Sequence, residues 1–192
     1  MQALVLASSS PYRRALLNKL QLPYSCHSPD IDESHYPGES AIELVKRLAE
    51  EKAHAVAALH PGKAIIGSDQ VAVLNGNILG KPGTKENATT QLQQSSGQCV
   101  TFLTGLCVLD TLSNHSQTEV VPFHVHFRKL TSEMIEHYID KESPLDCAGS
   151  FKSEGLGIAL FERLEGEDPN TLVGLPLIRL ISLLKNINIS VL

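Results

Sequence analysis

The sequence predicts an α/β fold with mixed strand directions, and three observations carry that prediction. Apolar runs of strand length alternate with segments of helical periodicity along the chain. One pair of strand-like runs is joined by Asn75-Gly76, a two-residue turn signal that requires antiparallel pairing. No internal repeat, low-complexity tract or interdomain linker breaks the alternation, so residues 1–192 read as a single domain.

The first strand, Ala3 to Ala7, runs into Ser8-Ser9-Ser10 and Pro11. Serine is a good N-cap, and proline suits the first helical position, where its missing N–H costs nothing; the helix therefore starts at Pro11. Ala15, Leu16 and Leu20 form its packing face. Open backbone N–H groups, the Ser8 to Ser10 hydroxyls and the helix dipole all favour an anion at this N-terminus. Arg13 and Arg14 oppose the same dipole by about 0.3–1 kcal/mol if exposed, which a bound phosphate would offset. The alternative is an ordinary strand-to-helix turn with solvated arginines.

An acidic loop with Asp30, Asp32 and Glu33 follows, and then a long helix opened by the capping box Ser40/Glu43. Its apolar stripe runs through Leu44, Val45, Leu48, Ala55, Val56 and Leu59 to the stop at His60-Pro61-Gly62. Lys52 falls on that stripe, where its ammonium either snorkels to water or reaches a buried anion. The run Lys63 to Leu74 is strand-like, and Asn77 to Pro82 pairs back across the turn. Regular pairing places Lys81 opposite Gln70, with Asp69 on the other face; a bend at Gly67 or Gly80 would instead bring Asp69 and Lys81 together.

A polar helix spans about Thr84 to Ser95, closed by Gly97, and a strand runs from Cys99 to Leu109. In the next strand Val121, Phe123, Val125 and Phe127 alternate with His124, His126 and Arg128, and the two histidines read as a solvated face rather than a metal site. Thr131 caps a short helix stapled by Leu130 and Ile135 and ended by Pro144. Gly149, Gly155 and Gly157 surround Phe151, Lys152 and Glu154 in a candidate binding loop. Gly174-Leu175-Pro176 opens the C-terminal helix.

With 42% hydrophobic and 19% charged residues, the chain has an ordinary globular balance. No apolar run reaches the roughly 20 residues that span a bilayer, and no signal peptide is visible, so a cytoplasmic protein with no membrane partner is expected. Cys26, Cys99, Cys107 and Cys147 lack the spacing of a zinc site or a disulfide framework. A net charge of −5 without a basic cluster argues against nucleic acid as partner but leaves a single nucleotide open. The P-loop pattern is absent.

Four charged features remain: Arg13 with Arg14 at a helix N-terminus, Glu33 in an acidic loop, Asp69 interrupting an apolar strand, and Lys52 with Lys81. Together they suit a triphosphate and a divalent metal, because carboxylates hold a hard cation through oxygen while cations neutralise the phosphate tail.

The segments LASSSPYRRALL, IDE at Ile31 to Glu33, LAEEKA around Lys52, IIGSDQVAVLNGNILGKP, TGL at Thr104 to Leu106, AGSFKSEG and VGLP resemble, in order and spacing, those of the Maf family over nearly the whole chain. The resemblance implies an elongated mixed α/β sheet with flanking helices, two lobes around a cleft, similar to the inosine triphosphate pyrophosphatases. It also implies hydrolysis of a nucleoside triphosphate to the monophosphate and pyrophosphate with a divalent cation, Mg²⁺ or Mn²⁺. Members are often dimers, which leaves a homodimer open. Residue by residue, it implies that Ser8, Arg13, Lys52 and Lys81 grip the phosphates and that Glu33 and Asp69 bind the metal or its water. Asp69 is also the implied general base, and its two roles are not separated by sequence.

Three positions depart from the common family pattern: Tyr12 where many members carry arginine, Gln70 after Asp69, and Glu154 in the late loop. These are the positions where the family is thought to set base preference, and the combination resembles the YceF-like branch associated with 7-methyl-GTP. The chemistry points the same way. Guanine offers two adjacent donors that one carboxylate can accept, whereas uracil and thymine flank a single donor with carbonyls. Methylation at N7 makes the base cationic, which strengthens its pairing with Glu154 and its stacking on Tyr12, the latter by about 0.5–2 kcal/mol. A dTTP, UTP or broad modified-nucleotide pyrophosphatase is the nearest alternative. A nucleotide-binding regulator of cell division without turnover is the other.

Overall fold

The computed structural model describes residues 2–192. Among them, seven strands form one mixed sheet in the order β2-β1-β3-β5-β6-β7, with β4 paired to β3. The strands are β1 (Leu4–Ala7), β2 (Tyr24–Cys26), β3 (Ala64–Leu74), β4 (Asn77–Leu79), β5 (Cys99–Asp110), β6 (His115–Phe127) and β7 (Phe161–Glu165). The helices are α1 (Pro11–Asn18), α2 (Ala41–Ala57), α3 (Lys85–Ser95), α4 (Ser132–Glu142), α5 (Asn170–Val173) and α6 (Leu177–Asn186). No helix of the described residues is long and apolar enough to cross a membrane.

The chain divides into two compact units. The first comprises the chain up to Gln70, Thr104–Val121 and Asp168–Leu192; the second comprises Val71–Leu103 and Pro122–Glu167.

In the first unit β1 pairs in parallel with both β2 and β3, and successive strand residues face opposite layers. Leu4, Leu6, Ile66, Leu106 and Val108 pack against Leu16 and Leu17 of α1 and Leu180, Leu183 and Leu184 of α6. Val5, Ala7, Ile65, Cys107 and Leu109 pack against Ala49, Ala53 and Val56 of α2. The α2 backbone comes unusually close to the strands. A Cβ at Gly67 of β3 would overlap the Ala49 carbonyl oxygen, and one at Gly105 of β5 would overlap that of Val45. Gly67 therefore marks a close helix approach rather than a bend in the hairpin.

In the second unit Phe151 is buried among Phe102, Phe127 and Phe161 in edge-to-face contacts. Its glycine-rich surroundings suggest a binding loop, but this residue belongs to the core. The hairpin forms at Asn75-Gly76, yet its ladder ends at the Ala72–Leu79 pair, so Lys81 lies past the end of β4 and is exposed.

The local start signals for helices hold. Ser10, Ser40, Thr84 and Thr131 each cap the helix that follows, and Ser40 with Glu43 closes the full capping box. Alanine mislabels faces: Ala15 and Ala55 are exposed, as is Leu59, while Leu17, Ala49 and Ala53 carry the packing. Pro176 caps α6 rather than entering it.

Candidate active site

Lys52 is the centre of the first unit's charged cluster. It lies on the buried face of α2, 6% exposed, and does not snorkel. Its Nζ donates to Asp69 Oδ1 at 2.6 Å and meets Glu33 Oε1 at 2.8 Å. The close seat of α2 on Gly67, two residues before Asp69, brings the lysine within reach of the strand. Asp69 is buried, and an anion buried in an apolar strand needs such a partner. Glu33 is the exposed member of the trio.

The two adjacent arginines separate. Arg13 Nε donates to the Gly174 carbonyl at 2.8 Å. Burial pushes the Arg13 guanidinium down from its ordinary value, while Asp69 and then Glu33 push it back up. Arg14 is exposed, and its carbonyl accepts from the Tyr24 hydroxyl. Two carboxylates and two cations, Lys52 and Arg13, thus share one neighbourhood. Beside them the Ser8 hydroxyl is buried and accepts from Ser10 N–H at 3.1 Å, leaving its own hydrogen to donate. Tyr12, on the first turn of α1, is 38% exposed.

The residues on either side of Asp69 are pinned. The Ser68 hydroxyl donates to the Gly174 carbonyl at 3.0 Å, and Gln70 Nε2 donates to the Thr171 carbonyl at 2.6 Å and to Thr104 Oγ1 at 2.8 Å. A carbonyl only accepts, so the amide nitrogen of Gln70 is fixed on that side.

The loop that presents Glu33 is held by Arg47, a residue with no distinguishing signal in the sequence. Its guanidinium makes a bidentate pair with Glu39 at 2.6 and 2.9 Å, donates to the Ser34 carbonyl and stacks on the Tyr36 ring. Arg47, and to a lesser degree the Tyr36 N–H, hold the Glu39 carboxyl at about 2 instead of the ordinary 4.5. Because the folded value is depressed, the stability this pair gives the loop is complete above pH 4.5 and fades as pH falls toward 2. An NMR titration of the Tyr36 amide should therefore move with a midpoint near 2, and Arg47→Ala should bring that midpoint up toward 4.5. A midpoint near 4.5 in the parent protein would show that the clamp does not form.

Lys81 and Glu154 belong to the second unit, and both are exposed. Glu154 accepts from the Ser153 hydroxyl at 2.7 Å. Its loop is tied to α4 at three points: Tyr138 Oη accepts from Lys152 N–H, Glu142 Oε2 accepts from Leu156 N–H, and Lys152 Nζ donates to the Glu142 carbonyl. Also in this unit, His126 pairs with Glu165 at 3.2 Å. Among the described residues no group of three or more His, Cys, Asp and Glu is arranged to hold a metal.

Two carboxylates converging on one cation nonetheless fit a magnesium-like ion. Such ions take one or two protein carboxylates and complete their shell with water and substrate phosphate. The Lys52 ammonium stands where Asp69 and Glu33 meet, and so marks the position at which positive charge is stabilised.

The chain is similar to known proteins over nearly its whole length. A protein named 7-methyl-GTP pyrophosphatase from Pseudomonas fluorescens is 61% identical over 184 residues, 96% of each chain. One of the same name from Pseudomonas aeruginosa is 60% identical over the same share. A solved structure, protein VC0702 from Vibrio cholerae, overlaps with a TM-score of 0.40 at 12% identity over 73% of this chain and 76% of that one, too slight a likeness to bear on the fold. The family described as Maf-like protein matches residues 3–187, and the chain belongs to that family.

Proposed function

We propose that this chain hydrolyses 7-methyl-GTP to 7-methyl-GMP and pyrophosphate in the cytoplasm, with Mg²⁺ or Mn²⁺. The observation that carries the reading is the Lys52 ammonium held between Asp69 and Glu33, with Arg13 beside them. That is the charge pattern a triphosphate and a hard cation require. The relatives' name supplies the substrate.

In this reading Arg13, Lys52 and the Ser8 hydroxyl bind phosphate oxygens, and Lys81 is assigned to the same tail. Arg14 is the weakest member of the phosphate set, since it is exposed beside Tyr24. Asp69 Oδ1 is engaged by Lys52, so Oδ2 is the oxygen assigned to take a proton from the attacking water. The water oxygen bonds to the α-phosphorus as the bond from that phosphorus to the bridging oxygen breaks, and pyrophosphate departs with the bridging oxygen. Arg13 and Lys52 neutralise the charge that builds on it. A divalent cation held by Asp69 and Glu33 would lower the pKa of its bound water and offset charge on the leaving group. Glu154 is assigned to the guanine donors and Tyr12 to the cationic ring face, with Gln70 as the third base-preference position.

The test is pyrophosphate release from 7-methyl-GTP, GTP, UTP and dTTP with each metal. The parent protein should prefer 7-methyl-GTP, and Glu154→Gln should erode that preference over GTP by about tenfold, the worth of one charge-assisted bond. Preference for UTP or dTTP would keep the chemistry and overturn the assignment of Tyr12 and Glu154. No turnover of any nucleotide would leave a binding protein.

A further inference from the structure

Among the described residues, a main-chain oxygen aims Arg13. The Gly174 carbonyl accepts its Nε–H and also the Ser68 hydroxyl, while the Thr171 carbonyl accepts from Gln70 and Thr104. Both carbonyls belong to α5 and its left-handed cap, Gly174 at φ 105°. A helix of four residues does not hold its shape on its own hydrogen bonds. Something else must fix it.

Asp168 does so. It is 1% exposed, and every acceptor bond recorded for it runs to α5 or α6. Oδ1 accepts from Asn170 N–H at 2.8 Å and from Asn170 Nδ2 at 2.6 Å, while Oδ2 accepts from Ile178 N–H at 2.8 Å. One carboxylate thus fastens the first residue of α5 to the second residue of α6, and the Gly174 carbonyl lies on the chain between these two anchors. A carboxylate is suited to this because it caps two helix starts at once, where open N–H groups and dipoles favour an anion.

We propose that Asp168 is a positioning residue for phosphate recognition: by bridging α5 and α6 it sets the Gly174 carbonyl, and through it the direction of the Arg13 guanidinium. The proposal rests on the reading of Arg13 as a phosphate ligand.

Asp168→Asn keeps the size of the side chain but turns an amide NH₂ against one of the two helix starts. Binding of inorganic tripolyphosphate, followed by calorimetry without added metal, tests the coupling in the parent protein, Asp168→Asn, Arg13→Ala and the double variant. Asp168→Asn should weaken binding about tenfold, the worth of one charge-assisted hydrogen bond, and should cost nothing further once Arg13 is gone. With 7-methyl-GTP it should raise KM more than it lowers kcat. Equal losses in both Arg13 backgrounds, a lowered Tm with unchanged binding, or a parent protein that binds no tripolyphosphate would each overturn the proposal. If Asp168→Asn does not fold, Asp168→Ser, which keeps one acceptor for α5 without reaching Ile178, runs the same cycle. Tripolyphosphate binding without turnover of any nucleotide would sink the proposed reaction while the cycle still decides the role of Asp168.

Discussion

Asp69→Asn is expected to lower the rate of pyrophosphate release by about 10²–10⁴-fold, the range a positioned general base contributes. The substitution is nearly isosteric and removes both the proton acceptor and the buried anionic ligand. Lys52 is not stranded by it, because Glu33 remains 2.8 Å from Nζ and is open to solvent. Folding should therefore survive, and nucleotide binding should persist because Arg13 and Lys52 are both still present. A variant that turned over 7-methyl-GTP within about threefold of the parent, far inside the general-base range, would show that Asp69 fills neither role. Stopped assays of pyrophosphate release, paired with calorimetric binding of the same nucleotide, separate chemistry from recognition.

Lys52→Met should have the larger effect on stability. It fills the same volume but leaves the buried Asp69 carboxylate without its ammonium, and breaking a buried pair from one side costs about 3–5 kcal/mol. Exposure of Glu33 relieves its part of the repulsion, so a loss near 3 kcal/mol in urea unfolding is expected, toward the lower end of that range. The informative arm is Mn²⁺. If the two carboxylates are the cation's protein ligands, Mn²⁺ should recover more stability in Lys52→Met than it adds to the parent protein, since in the parent the ammonium competes for the same oxygens. An equal response in both would place the cation elsewhere.

What the sequence revealed and what it hid follow from range. The start of α1 at Pro11 and the capping box of α2 were legible because the rules that set them act over three or four residues. Lys52 and Asp69 each stood out, one as a charge on an apolar helix face and the other as a charge in an apolar strand. Their pairing did not, because they are 17 positions apart and meet only through the seat of α2 on β3. A regular ladder would set Lys81 opposite Gln70 and a bend would bring it to Asp69, and neither choice is written locally, because where the strand stops, at the Ala72–Leu79 pair, depends on the folded hairpin. Local signals treat Arg13 and Arg14 alike and only the family resemblance favours Arg13; the two lie about 100° apart around a helix, and one joins the carboxylates while the other faces out. Gly174 gave no sign that its carbonyl serves Arg13 and Ser68. Arg47 resembled an ordinary surface charge until the folded loop wrapped around it.

The glycines beneath α2 bear on how this protein would respond to random variation. Gly67 and Gly105 touch no nucleotide in the proposed reaction, yet any side chain at either must lift α2 away from the strand it rests on. A lysine has a fixed reach, so lifting the helix withdraws the Lys52 ammonium from Asp69 before the fold itself is lost. In a saturation library scored for activity, positions 67 and 105 would therefore group with 52 and 69 as intolerant, while exposed Ala15 and Ala55, each on a helix of the same unit, would accept most replacements. Ranking residues by such a screen alone would mistake these two spacers for ligands.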